Sequence, residues 1–294
     1  MVIIAGILGL ATIAVPVQAL AAPARSSSPA AEHCPSVEFI GARGSGQPYD
    51  TGGRFHGLGP EVNKMIGVVQ GKLRAKGISF GTDALAYPAD SVNDLKPSAF
   101  EITLLTNPMT LDAGLAYYYV HNVRKYMASI ATGVSNAIFD ANDFHTVCGP
   151  TVFVLAGYSQ GAMVMHQVEV QLKAKHPGIF KKIAGTLLLG DGNRVPNTKA
   201  KEFGTSAANA EGIQTYLTPM GSHPDVPLPK TTANICNNGD IVCNFNLSHV
   251  LHFSASAKVH TSYSHCTSTG CTYQKVLTTA ATWVGNAVVS RVLG

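Results

Sequence analysis

Gly157-Tyr158-Ser159-Gln160-Gly161, placed directly after the apolar run Val152-Phe153-Val154-Leu155-Ala156, constrains this chain more than any other feature. A short β-branched, apolar run reads as a buried strand, and Ala162 to Val168 reads as the start of a helix. A strand that turns into a helix through Gly-x-Ser-x-Gly turns so sharply that only small residues fit on either side of the serine. The serine hydroxyl is lifted clear of the sheet. The helix beneath it offers backbone N–H groups and the positive end of its dipole to a developing negative charge. Ser159 is therefore the candidate nucleophile.

The rest of the chain supplies a setting for such a turn. Val37 to Ile40 reads as a first strand, followed by the glycine-rich Gly41-Ala42-Arg43-Gly44-Ser45-Gly46. Gly59 to Lys76 carries Val62, Met65, Ile66, Val69 and Leu73 at helical spacing. Ile78 to Tyr87 reads as a second strand, Ala89 to Pro108 as loop, and Leu111 to Phe139 as one long helix interrupted at Gly133. Beyond the serine helix, Ile183 to Leu189 is a further buried strand and 204–230, with four prolines, an irregular excursion. Thr231 to Cys236 is the last strand, and Gln274 to Leu293 a closing helix. Strands alternating with helices predict an α/β protein: a mostly parallel sheet with helices on both faces. The chain shows no repeats, and 34–294 reads as a single domain.

Only 13% of the 294 residues are charged, and the formal charge of +4 includes no long basic run, so nucleic acid is not an expected partner. The first 21 residues contain no Asp, Glu, Lys or Arg, and Ala19-Leu20-Ala21 suits a signal peptidase. Residues 1–21 are read as a signal peptide and 22–33 as a short linker. The competing reading is a membrane anchor, since the stretch approaches bilayer length. Six cysteines behind a secretion signal favour disulfides over metal ligands. Short loops suggest Cys236–Cys243 and Cys266–Cys271, which leaves Cys34 for Cys148. Zinc is discounted because no CxxC or HExxH spacing occurs. A secreted, monomeric protein without cofactor is expected.

A serine hydroxyl becomes a nucleophile when an imidazole takes its proton and a carboxylate orients that imidazole. Asp240, preceded by Gly239 inside Cys236 to Cys243, is the candidate acid, with Asp191 as rival. The base must follow the acid and precede the last helix, which leaves His249, His252, His260 and His265. His260, in His260-Thr261-Ser262-Tyr263, is preferred, and His252 stays open.

Four blocks together resemble the cutinase family of secreted serine esterases: Ala42-Arg43-Gly44-Ser45, Gly157 to Gly161, Cys236 to Cys243, and His260 to Tyr263. The resemblance covers about residues 34 to 293. It implies an α/β-hydrolase-like three-layer sandwich, Ser159 as nucleophile, His260 as base and Asp240 as its orienting acid. It also implies an oxyanion hole from the backbone N–H groups of Gln160 and Ser45 plus the Ser45 hydroxyl. The Cys34–Cys148 and Cys236–Cys243 pairings match the family pattern. The chain departs from it in a longer Ser45–Ser159 stretch, a longer Asp240–His260 gap and the added Cys266–Cys271 pair. The expected function is hydrolysis of an apolar ester, from short-to-medium acyl esters to polyester or lipid, with no stable membrane span. An acyltransferase using the same triad and a non-catalytic surface-binding homologue are the alternatives.

Overall fold

A computed structural model describes residues 34–95, 98–196, 198–217, 228–246, 248–249, 252–265 and 272–294. The expected signal peptide and linker, and both Cys266 and Cys271, lie outside the described residues.

Among the described residues six strands form one sheet: β1 (Val37–Ala42), β2 (Phe80–Ala84), β3 (Val152–Tyr158), β4 (Ile183–Leu189), β5 (Lys201–Phe203) and β6 (Thr232–Ile235). Their order is β2-β1-β3-β4-β6-β5 and every pairing is parallel. β1, β3 and β4 are buried along nearly their whole length, as strands covered on both faces must be. The main helices are α1 (Gly59–Arg74), α2 (Ala99–Thr106), α3 (Leu111–Tyr118), α4 (Arg124–Val147) and α5 (Gln160–Lys175). The short α6 (Pro177–Phe180) and α7 (Gln214–Leu217) follow, then α8 (Phe253–His260) and α9 (Thr272–Leu293).

Two apolar layers sandwich the sheet. On one face Val62, Met65, Ile66 and Val69 of α1 and Leu277, Ala280, Val284 and Val288 of α9 pack against β1, β3 and β4. On the other, Ile130, Val134 and Ala137 of α4 join Met163, Val164 and Val168 of α5. The α9 stripe is why that helix, long and apolar enough to cross a membrane, serves here as a core helix. Disulfides join Cys34 to Cys148 and Cys236 to Cys243, the pairs read from the sequence.

Four elements differ from the sequence expectation. The stretch 89–108 is not all loop: Val92–Leu95 is a 3₁₀ turn and α2 follows. A capping box starts α2, with Glu101 N–H donating to Ser98 Oγ (3.3 Å) and Ser98 N–H to Glu101 Oε2 (2.6 Å). Ala-Phe-Glu-Ile-Thr-Leu-Leu-Thr is apolar on several sides, which hides the helical period. The long helix breaks at a π-helical turn, Tyr119–Val123, rather than at Gly133. Gly133 lies inside α4 and lets α5 pack close, since a Cβ there would lie 2.8 Å from Val164. The edge strand β5 and the helix α8 were not expected from the sequence.

Because every strand runs the same way, all carboxyl ends meet at one edge. The chain leaves β1 for β2 on one side and returns to β3 on the other, so the loops after β1 and β3 diverge and open a crevice. Ser45 follows β1 and Ser159 follows β3.

Candidate active site

Ser159 is one of three non-glycine residues with positive φ among the described residues, at φ 55° and ψ −119°. Such a conformation costs on the order of 1–3 kcal/mol and persists only where the surroundings impose it. Here Ser159 N–H donates to Leu189 O of β4 (2.8 Å), and Met163 N–H donates back to Ser159 O (3.0 Å). The flanking glycines are required by contact: a Cβ at Gly157 would sit 2.2 Å from Gly161 O, and one at Gly161 2.1 Å from Ala42 O. The turn is thus wedged against the end of β1, with α5 starting at Gln160.

Asp240 lies in the loop closed by Cys236–Cys243, fully buried. Its Oδ1 accepts from Val242 N–H (2.7 Å) and Cys243 N–H (3.2 Å), and its Oδ2 from the Tyr263 hydroxyl (2.8 Å). Both oxygens lie 3.0 Å from His260 Nδ1. Burial opposes ionisation of Asp240, but the attraction of His260 and these hydrogen bonds outweigh it and hold the carboxyl below its ordinary range. The arrangement orients an imidazole with Nδ1 toward Asp240 and leaves Nε2 for other chemistry.

His260 closes α8 and is steadied from below. Its ring stacks on Tyr158 (centroids 5.1 Å apart, 21° between planes), and the Tyr158 hydroxyl donates to His260 O (2.9 Å). A Cβ at Gly190, the residue after Leu189, would lie 2.7 Å from His260 Cε1. The imidazole therefore borders the same strand ends that hold Ser159. The rivals sit elsewhere. His252, at the opposite end of α8, is exposed and its Nδ1 lies 2.9 Å from Ser248 O. Asp191 is buried beneath α5, 2.6 Å from His166 Nδ1.

The turn after β1 is held by a buried guanidinium. Arg43 Nε donates to Gln47 O (2.7 Å), and Nη2 to Tyr87 O (2.7 Å) and Pro88 O (3.2 Å). Its plane lies over the rings of Tyr49 and Tyr87. The Ser45 hydroxyl donates to Asp90 O (2.5 Å), so in this structure its proton is engaged by the 89–95 segment rather than turned toward Ser159. Asp90 N–H donates to Ser129 Oγ (3.2 Å), which in turn reaches Gln160 Oε1 (3.5 Å). The buried Tyr126 phenol faces both Ser45 and Gln160, and burial raises its pKa. Arg43, Tyr126, Tyr158 and Tyr263 were not assigned from the sequence. Arg43, Tyr158 and Tyr263 lie inside blocks that carried the family resemblance, and Tyr126 had no such marker.

A sequence model of the family described as Cutinase matches residues 33–271. The chain belongs to the cutinase family. It is accordingly a carboxylic-ester hydrolase. A curated relative, Phospholipase Culp4 of Mycobacterium tuberculosis (strain ATCC 25618 / H37Rv), is 25% identical over 222 residues, covering 74% of this chain and 70% of that protein. A solved structure of a cutinase-like protein from Cryptococcus sp. superposes with TM-score 0.55 at 19% identity, covering 88% of this chain and 98% of that one. The latter likeness shows the fold. The long segment between β2 and α4, with α2 and α3, is carried by this cutinase-family chain as a helical hairpin.

Proposed function

We propose that this cutinase-family hydrolase is a secreted serine esterase that works through Ser159, His260 and Asp240. The observation that carries the reading is the His260–Asp240 pair at 3.0 Å, steadied by Tyr158 and Tyr263 beside the Ser159 turn. Ser159 Oγ attacks the ester carbonyl while His260 Nε2 takes its proton, and Asp240 stabilises the imidazolium. The backbone N–H groups of Gln160 and Ser45 receive the oxyanion. The tetrahedral adduct collapses, the C–O bond to the alcohol breaks, and His260 returns the proton to the leaving oxygen. Water repeats the cycle on the acyl-enzyme and frees the acid and Ser159.

The substrate proposed is an apolar ester of short-to-medium acyl chain. Phe100, Met109, Tyr117 and Val120 of the hairpin region are exposed, and the segment leading into it supplies the Asp90 contact to Ser45. Exposed apolar surface on the stretch that continues from the Asp90 contact suits an acyl group better than a sugar or a charged headgroup. Two disulfides support export to an oxidising compartment. Residues 22–294, purified, are expected to hydrolyse p-nitrophenyl butyrate, and Ser159→Ala to abolish it. Turnover retained in that variant would sink the assignment. A series of esters of increasing chain length, with an insoluble polyester alongside, locates the substrate within the class.

A further inference from the structure

The two halves of the site come from distant parts of the chain. The oxyanion turn follows β1, whereas the base and its acid lie some two hundred residues later. Acyl transfer needs their spacing held to a fraction of an ångström, and a misplacement of about 1 Å can cost roughly 10²-fold in rate. Backbone pairing does not supply that constraint, because the turn at Gly44 and the segment after His260 share no strand.

A buried carboxylate joins them. Glu61, in the first turn of α1 and 4% exposed, accepts from Gln47 Nε2 at Oε2 (2.7 Å) and from Ser264 Oγ at Oε1 (2.7 Å). Gln47 passes the contact on, its Oε1 accepting from Gly44 N–H (2.7 Å), one residue before Ser45. Ser264 follows Tyr263, the residue that donates to Asp240, and its carbonyl accepts from Lys64 Nζ of α1 (3.3 Å). Two glycines make the room. A Cβ at Gly59 would lie 2.2 Å from Gln47 Oε1, and Gly59 also holds φ +72°, which an L side chain resists. A Cβ at Gly44 would lie 2.6 Å from the Tyr158 ring on which His260 stacks. Tyr158 is thus a spacer between turn and base, and Glu61 spans the same gap alongside.

We propose that Glu61 is a positioning residue that fixes the oxyanion turn and the histidine segment at one spacing through Gln47 and Ser264. The inference rests on the triad reading above. One side chain thus takes both arms at once, Gln47 on one oxygen and Ser264 on the other, each at 2.7 Å. Glu61 touches no reacting atom. Its effect is expected in kcat, with KM nearly unmoved.

Kinetics on p-nitrophenyl butyrate with Glu61→Ala, Glu61→Gln and Ser264→Ala, well below each variant's melting temperature, test the clamp. Glu61→Ala is expected to lower kcat by about 10- to 100-fold with KM within about threefold, the signature of lost alignment. Glu61→Gln can still accept from Gln47 while its amide donates to Ser264 Oγ, so it should recover most of that loss. Ser264→Ala cuts one arm and should cost less than Glu61→Ala. If Glu61→Ala does not fold, Ser264→Ala decides: a several-fold loss in kcat alone supports the clamp, and unchanged kcat overturns it. A Glu61→Gln as impaired as a folded Glu61→Ala, or a loss appearing only in KM, also overturns it. The downfield His260 Nδ1 proton in NMR reads the geometry without turnover and should shift in Glu61→Ala but not in Glu61→Gln. Absence of Ser159-dependent turnover in the unsubstituted protein would instead refute the triad reading, leaving the proton signal to judge the clamp.

Discussion

Two His–Asp pairs lie among the described residues, and they serve opposite ends. In one, His260 Nδ1 meets Asp240 at 3.0 Å at the carboxyl edge of the sheet, and the imidazole keeps a sliver of exposure. In the other, His166 Nδ1 meets Asp191 at 2.6 Å with both side chains fully buried. Asp191 is further held by Asn193 N–H (2.9 Å), while His166 Nε2 is buried with no hydrogen-bond partner among the described residues. The same two groups at similar distance thus give a candidate proton carrier where the second nitrogen faces a reactive edge, and a strut where it faces the core. The strut ties α5, the helix that begins behind Ser159, to the end of β4. Three residues beyond His166, Glu169 carries the same helix to β6, since Thr232 Oγ1 lies 2.9 Å from both Glu169 oxygens.

The difference can be broken by substitution. His260→Ala should lower kcat on p-nitrophenyl butyrate by about 10⁶-fold and Asp240→Asn by about 10⁴-fold. His252→Ala should leave turnover near wild type. If His252→Ala alone loses turnover, the pairing around Asp240 is not the working one. Opening the Cys236–Cys243 loop, by reduction or by Cys→Ser at both positions, should cost about 10²-fold in kcat through a misplaced Asp240. Unchanged turnover with that bond demonstrably open would separate the acid from its loop. At the buried pair the readout changes from rate to stability. Asp191→Asn should destabilise by about 3–5 kcal/mol in denaturant melts while the folded fraction keeps its kcat. A large loss of kcat there would erase the distinction.

The smallest effect is electrostatic. Burial pushes the Glu169 carboxyl up to about 7 from 4.5, despite its hydrogen bonds to Thr232 and Thr186. Burial favours neutral His166, but Asp191 and Glu169 outweigh it and raise its pKa above 6.5. The native state therefore holds protons that the unfolded chain releases. Stability from Glu169 is full below pH 4.5 and declines as pH rises to about 7, and that from His166 is full below 6.5 and declines above it. Glu169→Gln should flatten the first window, removing at most about 3 kcal/mol of pH dependence. Melting curves between pH 4.5 and 7 that keep the wild-type slope would show that Glu169 does not set it.

Much of this architecture was legible in the chain because the informative signals were local. β1, β3, β4 and α9 announce themselves as short, mostly apolar runs or one-sided stripes. Asp240 was picked out by a glycine and two flanking cysteines within eight residues. What stayed hidden depends on contacts between distant residues. Tyr158 reaches His260 across 102 positions and Ser264 reaches Glu61 across 203, and no spacing rule links them. α2 was missed for a different reason: a helix apolar on several sides has no period to detect. β5, three residues long, forms only because β6 offers it an edge.

The Cys34–Cys148 bond has a mechanical consequence. It ties the chain just before β1 to the chain just before β3, where Thr151 Oγ1 also donates to Pro35 O (2.6 Å). A pull applied through the amino-terminal side is handed across the bond to the central pair of strands instead of peeling β1 from its neighbours. The stretch between the two cysteines, a separation of 114 residues, is shielded from that load and cannot lengthen. The Ser45 loop lies inside that stretch, so such a pull cannot draw it out of register with the Ser159 loop.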